Sequence, residues 1–218
     1  MKTLLSFIIM LISFSVVAQK SDSTHTHYRI IRGGMIEHST ELKSKPHIKN
    51  GSSEIKSGKN LLATGIYKDG ERFGRWRFFK ELDSIEQVYN YTTKKLEYNN
   101  PDKDIIYEVD SLKPGDKIVY PAKIGGFSTG LHFLIKKFSP PKEFKQLPGE
   151  HPIFLIFYID EHGKLTKYET ETGGGELKKK YSIDLKELQA EDFEFVPAYV
   201  NGKSVASRLI FKSRLTVD

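Results

Sequence analysis

The stretch that decides the fold of this chain reads Gly65-Ile66-Tyr67-Lys68-Asp69-Gly70-Glu71-Arg72-Phe73-Gly74-Arg75-Trp76-Arg77-Phe78-Phe79. Its centre, Asp69-Gly70, is one of the strongest short-range signals for a β-hairpin turn. Because side chains alternate between the two faces of a strand, Trp76 and Phe78 fall on one face and Phe79 on the other. The stretch therefore predicts a hairpin, within a meander of hairpins, whose aromatic face is buried.

Five positions of this stretch also carry a resemblance to a known repeat. The order G-x-Y, a turn glycine, and G-x-W followed by an aromatic pair is similar to the bacterial variant of the MORN repeat. The matching residues are Gly65, Tyr67, Gly70, Gly74 and Trp76. The resemblance implies a structural unit without chemistry of its own, in which glycines permit the turns and aromatic rings cover the next hairpin.

The beginning of the chain has the order of a secretory signal. Lys2 precedes an apolar run from Leu4 to Ala18, and Val16-Val17-Ala18 offers small residues for cleavage before Gln19. The run is shorter than the roughly 20 residues of a membrane-spanning helix. We expect a signal peptide over residues 1–18 and an exported protein that is periplasmic, associated with the outer membrane or secreted. An uncleaved signal anchor is the alternative.

The composition of the 218 residues excludes several classes of protein. The 34 basic and 28 acidic residues are interspersed, so the net charge of +6 forms no basic stripe of the kind that binds nucleic acid. Cysteine is absent, which excludes disulfides, thiol catalysis and thiolate metal sites. We expect no cofactor, and no stable membrane span once the signal is cleaved, because no later apolar run reaches the necessary length.

Polar, turn-rich segments divide the rest of the chain. Asn99-Asn100-Pro101-Asp102 and Lys113-Pro114-Gly115-Asp116 are typical of linkers. They predict a β-hairpin module over residues 19–100, a linker over 101–117 and a second domain over 118–218.

The second domain changes its periodicity. Apolar residues from Phe127 to Phe138 recur at helical spacing, and strands are predicted from His151 to Ile159 and from Lys164 to Thr170. Asp184-Leu185-Lys186-Glu187 has the form of a capping box and predicts a second helix to about Ala190, and a last strand runs from Val205 to Leu215. The predicted fold class is α+β, with two helices on a small antiparallel sheet after the hairpin module.

This order resembles the C-terminal domain of TonB, the periplasmic partner-binding module of an energy transducer. The resemblance runs from Tyr120 to Leu215 and is clearest in Phe195–Val205, which is similar to the family's P-A-x-x-N-G-K-P-V signature. The motif positions with implied structural roles are Gly125, Gly126, Gly163, Pro197, Asn201 and Gly202. The chain departs from TonB itself because it has no Pro-rich spacer to cross the periplasm, with only nine prolines in total. The resemblance therefore implies the fold and a general binding role.

Three groups of residues have side chains that could take part in chemistry. Gly126-Phe127-Ser128-Thr129-Gly130 matches the nucleophile elbow G-x-S-x-G, but no central parallel strand precedes it, so a helix start is the preferred interpretation. His25, His27, His38 and His47 lack an acidic ligand at a helpful spacing, and no metal site is predicted. Glu169 and Glu171 are interpreted as exposed strand charges. We expect no enzymatic activity.

The predicted function is that of a non-enzymatic binding protein of the bacterial cell envelope. The expected partner is an envelope protein or peptide segment, bound by β-strand addition along an edge of the C-terminal domain. The resemblance points to the last strand as that edge, with Val205, Ser207, Leu209, Phe211 and Ser213 as partner-binding residues. The alternatives are a membrane-anchored TonB-like transducer for outer-membrane transport and, more remotely, a serine hydrolase using Ser128.

Overall fold

The computed structural model describes residues 23–80, 84–110, 112–174 and 177–217. The predicted signal, residues 1–18, lies outside the described residues. Within them the chain forms seventeen strands in four antiparallel sheets and one helical segment of nine residues. The protein is therefore mostly β, and the predicted α+β class with two helices is wrong.

Seven strands form the first sheet as a simple meander in chain order. They are β1 (Thr24–Ile30), β2 (Ile36–Leu42), β3 (Lys49–Ser57), β4 (Asn60–Lys68), β5 (Glu71–Phe79), β6 (Ile85–Asn90) and β7 (Lys95–Asn99). A meander needs only short turns between neighbouring antiparallel strands, as the turn signals of the sequence predict.

The hairpin of β4 and β5 is formed as predicted. Asp69 and Gly70 occupy its turn with φ of 49° and 89°, and the exposed fractions of Trp76 and Phe78 are 0% and 1%. The indole of Trp76 lies directly on the backbone of Gly65, where a Cβ atom would stand 2.3 Å from the ring. Its Nε1 donates a hydrogen bond to the Ile66 carbonyl at 3.1 Å. A glycine at position 65 is therefore a packing requirement.

Phe79 lies at a register shift between β5 and β6. The pairing moves from Phe78–Gln87 to Phe79–Ile85, so Glu86 is an extra residue on β6, and Phe79 is only 8% exposed. An extra residue of this kind is a β-bulge, which bends the strand that carries it.

The C-terminal half of the chain forms three smaller sheets. The second sheet has five strands in the order β13-β12-β11-β17-β8, the third has the order β16-β15-β9, and β10 pairs with β14. Their bounds are β8 (Ile105–Val109), β9 (Ile118–Val119), β10 (Ala122–Lys123), β11 (Gly149–Ile159), β12 (Leu165–Gly174), β13 (Leu177–Ser182), β14 (Phe195–Val196), β15 (Ala198–Val200), β16 (Lys203–Val205) and β17 (Ser207–Val217).

Only the first of the two predicted helices is present. A π-helical turn, Phe127–Leu131, continues into the α-helical turn His132–Ile135, and together they form α1. The second prediction is wrong: Leu185–Glu187 is a single 3₁₀ turn, and Leu185 and Leu188 are only partly buried against the second core cluster, which is too little packing to stabilise a longer helix. None of the helical segments in the described ranges is long and apolar enough to cross a membrane.

The first sheet and the C-terminal half share one hydrophobic core. Ala122, Phe133 and Val196 pack into the cluster that contains Trp76 and Phe78. A second cluster, with Leu134, Phe157 and Leu209 among its residues, lies under the second sheet. The domain boundaries given above stay a prediction, but the strands on the two sides of the predicted linker are packed together.

Neighbouring side chains of β6 anchor the segment that leads into α1. The amide of Gln87 donates to the Lys123 carbonyl at 3.0 Å and accepts from the Gly125 N–H at 2.9 Å. The carboxylate of Glu86 accepts from the Phe127 N–H at 2.9 Å, and a Cβ at Gly126 would lie 2.7 Å from its Oε2. Burial raises the pKa of Glu86 to about 7.

Replacement of Gly65 by alanine tests the contact with Trp76. We expect Gly65→Ala to lower the free energy of unfolding by about 1–3 kcal/mol, because the new methyl group overlaps the indole. Urea unfolding followed by the fluorescence of Trp76, the sole tryptophan, measures the change. Gly173→Ala is the matched control, since a Cβ there meets only ordinary contact at 3.6 Å. Equal stability of the two variants would contradict this account.

Replacement of Glu86 by glutamine tests its burial. The folded protein holds the Glu86 proton more tightly than the unfolded chain, so this group's contribution to stability falls as the pH rises from 4.5 to about 7. The shift corresponds to about 2–3 kcal/mol. Between about pH 5 and pH 8 we expect the free energy of unfolding of Glu86→Gln, measured with urea, to rise by that amount relative to the wild type. The exposed Glu161→Gln variant should follow the wild type, and identical pH dependence of all three proteins would refute the assignment.

Candidate functional site

The predicted partner-binding strand is largely covered. β17 lies between β11 and β8, and Ser207, Leu209 and Phe211 are paired with Val109, Tyr107 and Ile105 of β8. Val205 belongs to β16 and pairs with Ala198. Ser207, Leu209 and Phe211 are therefore not on an open edge, and the prediction of an edge at these three residues is corrected. Val205 lies apart from them, on β16 at an edge of the third sheet.

β17 is covered by a strand that lies within the predicted linker. β8 (Ile105–Val109) falls inside residues 101–117, where Pro and Gly signals at both ends concealed it. Its sequence Ile-Ile-Tyr-Glu-Val is rich in β-branched and aromatic residues, which is the signal that could have identified it.

The second half of β17 has an open side. The pairing with β8 ends at Phe211, and the Lys212 N–H donates to the Asp104 carbonyl at 2.8 Å. Beyond this point Ser213–Val217 pairs with β11 on one side, and on the other side no strand of the described ranges pairs with it. Ser213, the fifth residue of the predicted set, lies in this open segment.

The backbone groups that face the open side follow from the ladder. In an antiparallel sheet, successive residues direct their N–H and C=O groups to opposite neighbours. Because the Lys212 N–H points toward the β8 side, the N–H and C=O groups of Arg214 and Thr216 point there as well. Ser213 and Leu215 point toward β11. The open segment therefore offers two donors and two acceptors.

A surface recess of about 490 Å³ borders the open segment. It is lined by the half-buried Phe154 and Phe211 and by the charged residues Lys103, Asp104, Lys212 and Arg214. Phe154 shares a face of the sheet with Lys212, whereas the Phe211 side chain lies on the other face with Leu155. Arg214 is paired with Glu150 at 3.2 Å but remains 76% exposed at its side chain. The recess can thus accept an apolar side chain, and its rim favours an acidic one.

The opposite edge of the second sheet is protected. β13 carries Lys178, Lys179 and Lys180, and lysines on an edge strand oppose the addition of another strand. Lys178 is paired with Glu171 and Lys180 with Glu169. Glu169 is buried rather than exposed as predicted; burial would raise its pKa, but hydrogen bonds from Lys167, Tyr158 and Lys180 lower it to about 2.

A cavity lies between the first sheet and the C-terminal half. Its volume is about 240 Å³, below the range of typical ligand pockets. Several basic groups of its walls already have partners: Lys49 contacts Glu37, and the Arg72 guanidinium lies over Trp76 and donates to the Tyr91 hydroxyl at 2.7 Å. Lys123 donates to three carbonyls, and burial lowers its pKa to about 8. These contacts hold the two parts of the protein together.

The remaining motif residues occupy turns and connections. Gly125 and Gly126 form the turn before α1, Gly163 lies in the turn between β11 and β12, and Pro197 joins β14 to β15. Asn201 and Gly202 form the turn between β15 and β16. The Asn201 side chain accepts from the Lys117 N–H at 3.0 Å and donates to Asp116 at 2.7 Å, so it fixes the segment that precedes β9.

Ser128 lies in an arrangement unlike that of a nucleophile elbow. It sits in the π-helical turn of α1, after the two-residue antiparallel strand β10 instead of a buried parallel strand. His151 is bound to the Leu147 carbonyl at 2.7 Å, and His162 lies beside Glu161 on the surface. No hydrogen bond joins Ser128 to a histidine in the part of the chain that the structure describes.

The histidines near the N-terminus are separated by the sheet. His25 and His27 lie on one face of β1, beside the buried carboxylate of Glu41 on β2. His38 lies on the opposite face of β2, against Tyr28. Glu41 is the acidic neighbour that the spacing along the chain did not reveal, because it is brought there by strand pairing.

Comparisons with known proteins identify no relative. No protein-family model matches the chain, and searches of curated proteins and of solved structures find no match. The resemblances to MORN repeats and to TonB C-terminal domains therefore stay predictions from the residues.

Hydrogen exchange of backbone amides tests the open side of β17. We expect the N–H groups of Arg214 and Thr216 to exchange rapidly, because they face solvent, and those of Ser213 and Leu215 to be protected by β11. Residue-resolved exchange monitored by NMR measures the difference. Equal protection of all four amides would show that another segment covers this edge.

Proposed function

We propose that this chain is an exported, non-enzymatic binding protein of the bacterial cell envelope that adds an extended segment of another envelope protein to its second sheet. The observation that carries the proposal is the open side of β17 at Ser213–Val217. The signal-like N-terminus and the resemblance to TonB C-terminal domains support an envelope partner.

The incoming segment would lie in line with β8 and antiparallel to β17. Arg214 and Thr216 would each donate one hydrogen bond and accept one, so the main chain supplies affinity without regard to sequence. Phe154, on the same face of the sheet as Lys212, would contact an apolar side chain of the segment, and Lys103 and Lys212 would favour a neighbouring carboxylate. The preferred partner is therefore an extended segment with alternating apolar and acidic residues.

Other surfaces of the protein fit this role less well. The edge at β13 carries three lysines, of which Lys178 and Lys180 are ion-paired across the sheet and Lys179 is paired with Glu143. The internal cavity of about 240 Å³ is small. The segment Ser213–Val217 combines free backbone groups with an adjacent recess.

The partner is identified by photo-crosslinking from the recess. Lys212 lines the recess and is replaced by a residue with a benzophenone side chain. This side chain should form an adduct with one envelope protein in intact cells. The same side chain at Lys203, exposed on β16, is the control and should not form that adduct. The crosslinked segment is then synthesised as a peptide.

Proline at position 214 tests strand addition directly. We expect Arg214→Pro to weaken binding of that peptide at least about tenfold, or about 1.4 kcal/mol, because it removes an outward N–H while leaving the pairing with β11 intact. Arg214→Ala, which loses the same side chain but keeps the N–H, should change the affinity by less than about threefold. Fluorescence anisotropy measures both. Undiminished binding by a folded proline variant would rule out strand addition at this edge.

A further inference from the structure

The first strand of the protein carries an unusual cluster of polar side chains. His25 and His27 project to the same face of β1, and Glu41 lies directly opposite His25 on β2. One ligand atom from each of these three residues lies within 4.8 Å of the other two. The ring of His47 lies beside that of His27, with 6.2 Å between the centroids.

The carboxylate of Glu41 is held in place by two neighbouring residues. Its side chain is 1% exposed. Its Oε1 accepts a hydrogen bond from Arg29, and its Oε2 accepts one from the backbone N–H of His47 at 2.8 Å. The distance from Oε2 to His25 Nε2 is 3.9 Å, which is too long for a hydrogen bond. Burial would raise the pKa of Glu41, but the contacts with His47 and Arg29 keep it below the ordinary value. Metal-ligating carboxylates are typically fixed by such outer contacts.

One ring nitrogen of His25, Nδ1, is buried without a hydrogen-bond partner among the described residues. The His25 side chain as a whole is 38% exposed, but this one nitrogen is not, and coordination of a cation through Nδ1 would supply its missing partner. This observation is independent of the spacing of the three side chains.

We propose that His25, His27 and Glu41 bind a zinc ion, with a water molecule or His47 as the fourth ligand. Two histidines and one glutamate are an established ligand set for tetrahedral zinc. With bonds of about 2.0–2.1 Å the ligand atoms must lie about 3.4 Å apart, so the side chains have to close by roughly 1–1.5 Å. Rotation about the χ angles of the two histidines provides that movement.

The ion would join the edge strand β1 to β2. It would bridge both strands at the end of the first sheet, where β2 is the one strand that pairs with β1 among the described residues. The adjacent Arg29 shares the carboxylate and repels a cation, so we expect an affinity on the order of 1–10 μM instead of the tight binding of cysteine-rich sites. The site lies on the first sheet and does not depend on the proposed partner edge at Ser213–Val217.

Calorimetric titration of the untagged mature chain with Zn²⁺ tests the site. The wild type should bind one equivalent, and His25→Ala and His27→Ala should each weaken binding at least about tenfold. His38→Ala is the matched control, because His38 lies on the opposite face of β2, and it should bind as the wild type does. Loss of binding in His38→Ala, or unchanged binding in both other variants, would overturn the proposal.

A second measurement uses the wild type alone and so does not depend on the folding of a variant. The imidazole resonances of His25 and His27 should shift on addition of one equivalent of Zn²⁺, while those of His38, His132 and His162 should not. Zn²⁺ should also raise the melting temperature of the wild type and leave that of His27→Ala unchanged. Shifts confined to other histidines would overturn the assignment, as would the absence of any shift.

Discussion

The contact of the Trp76 indole with the bare backbone of Gly65 is the constraint on which the first sheet depends. The ring is fully buried, and no Cβ at position 65 fits beneath it. Because the indole also donates to the Ile66 carbonyl, β4 and β5 are tied at a defined register. Phe78 and Tyr67 pack around the same ring, so the aromatic face of one hairpin becomes the core of a seven-stranded meander.

The same core extends into the rest of the molecule. Phe133 of α1 packs into it, and Arg32 lies over the Phe133 ring while it pairs with Asp192. Glu86 and Gln87 bind the backbone that leads into α1. The charged and polar groups between the two parts of the protein thus serve mainly to join them. The groups that remain available to bind another molecule therefore lie mainly at the outer edges of the sheets.

Three sheet edges differ in their side chains and in their free backbone groups. β13 carries lysines, which discourage pairing, while the outward backbone groups of Arg214 and Thr216 in β17 have no neighbouring strand among the described residues. At β1, two histidines lie beside the buried carboxylate of Glu41. We infer that the protein is suited to two kinds of contact at separate places, a protein segment on the second sheet and a cation on the first.

The amino-acid sequence by itself determined the local features. The Asp69-Gly70 turn, the burial of Trp76 and Phe78 and the hairpin of β11 and β12 follow from turn chemistry and from the alternation of side chains, which act over a few residues. Only the tertiary structure decided that a strand from the supposed linker covers half of β17, that the segment after Asp184 forms a 3₁₀ turn instead of an α-helix, and that Glu41 lies beside two histidines. Each of these depends on which distant segments pair and what buries each face, and such contacts leave no local pattern in the chain.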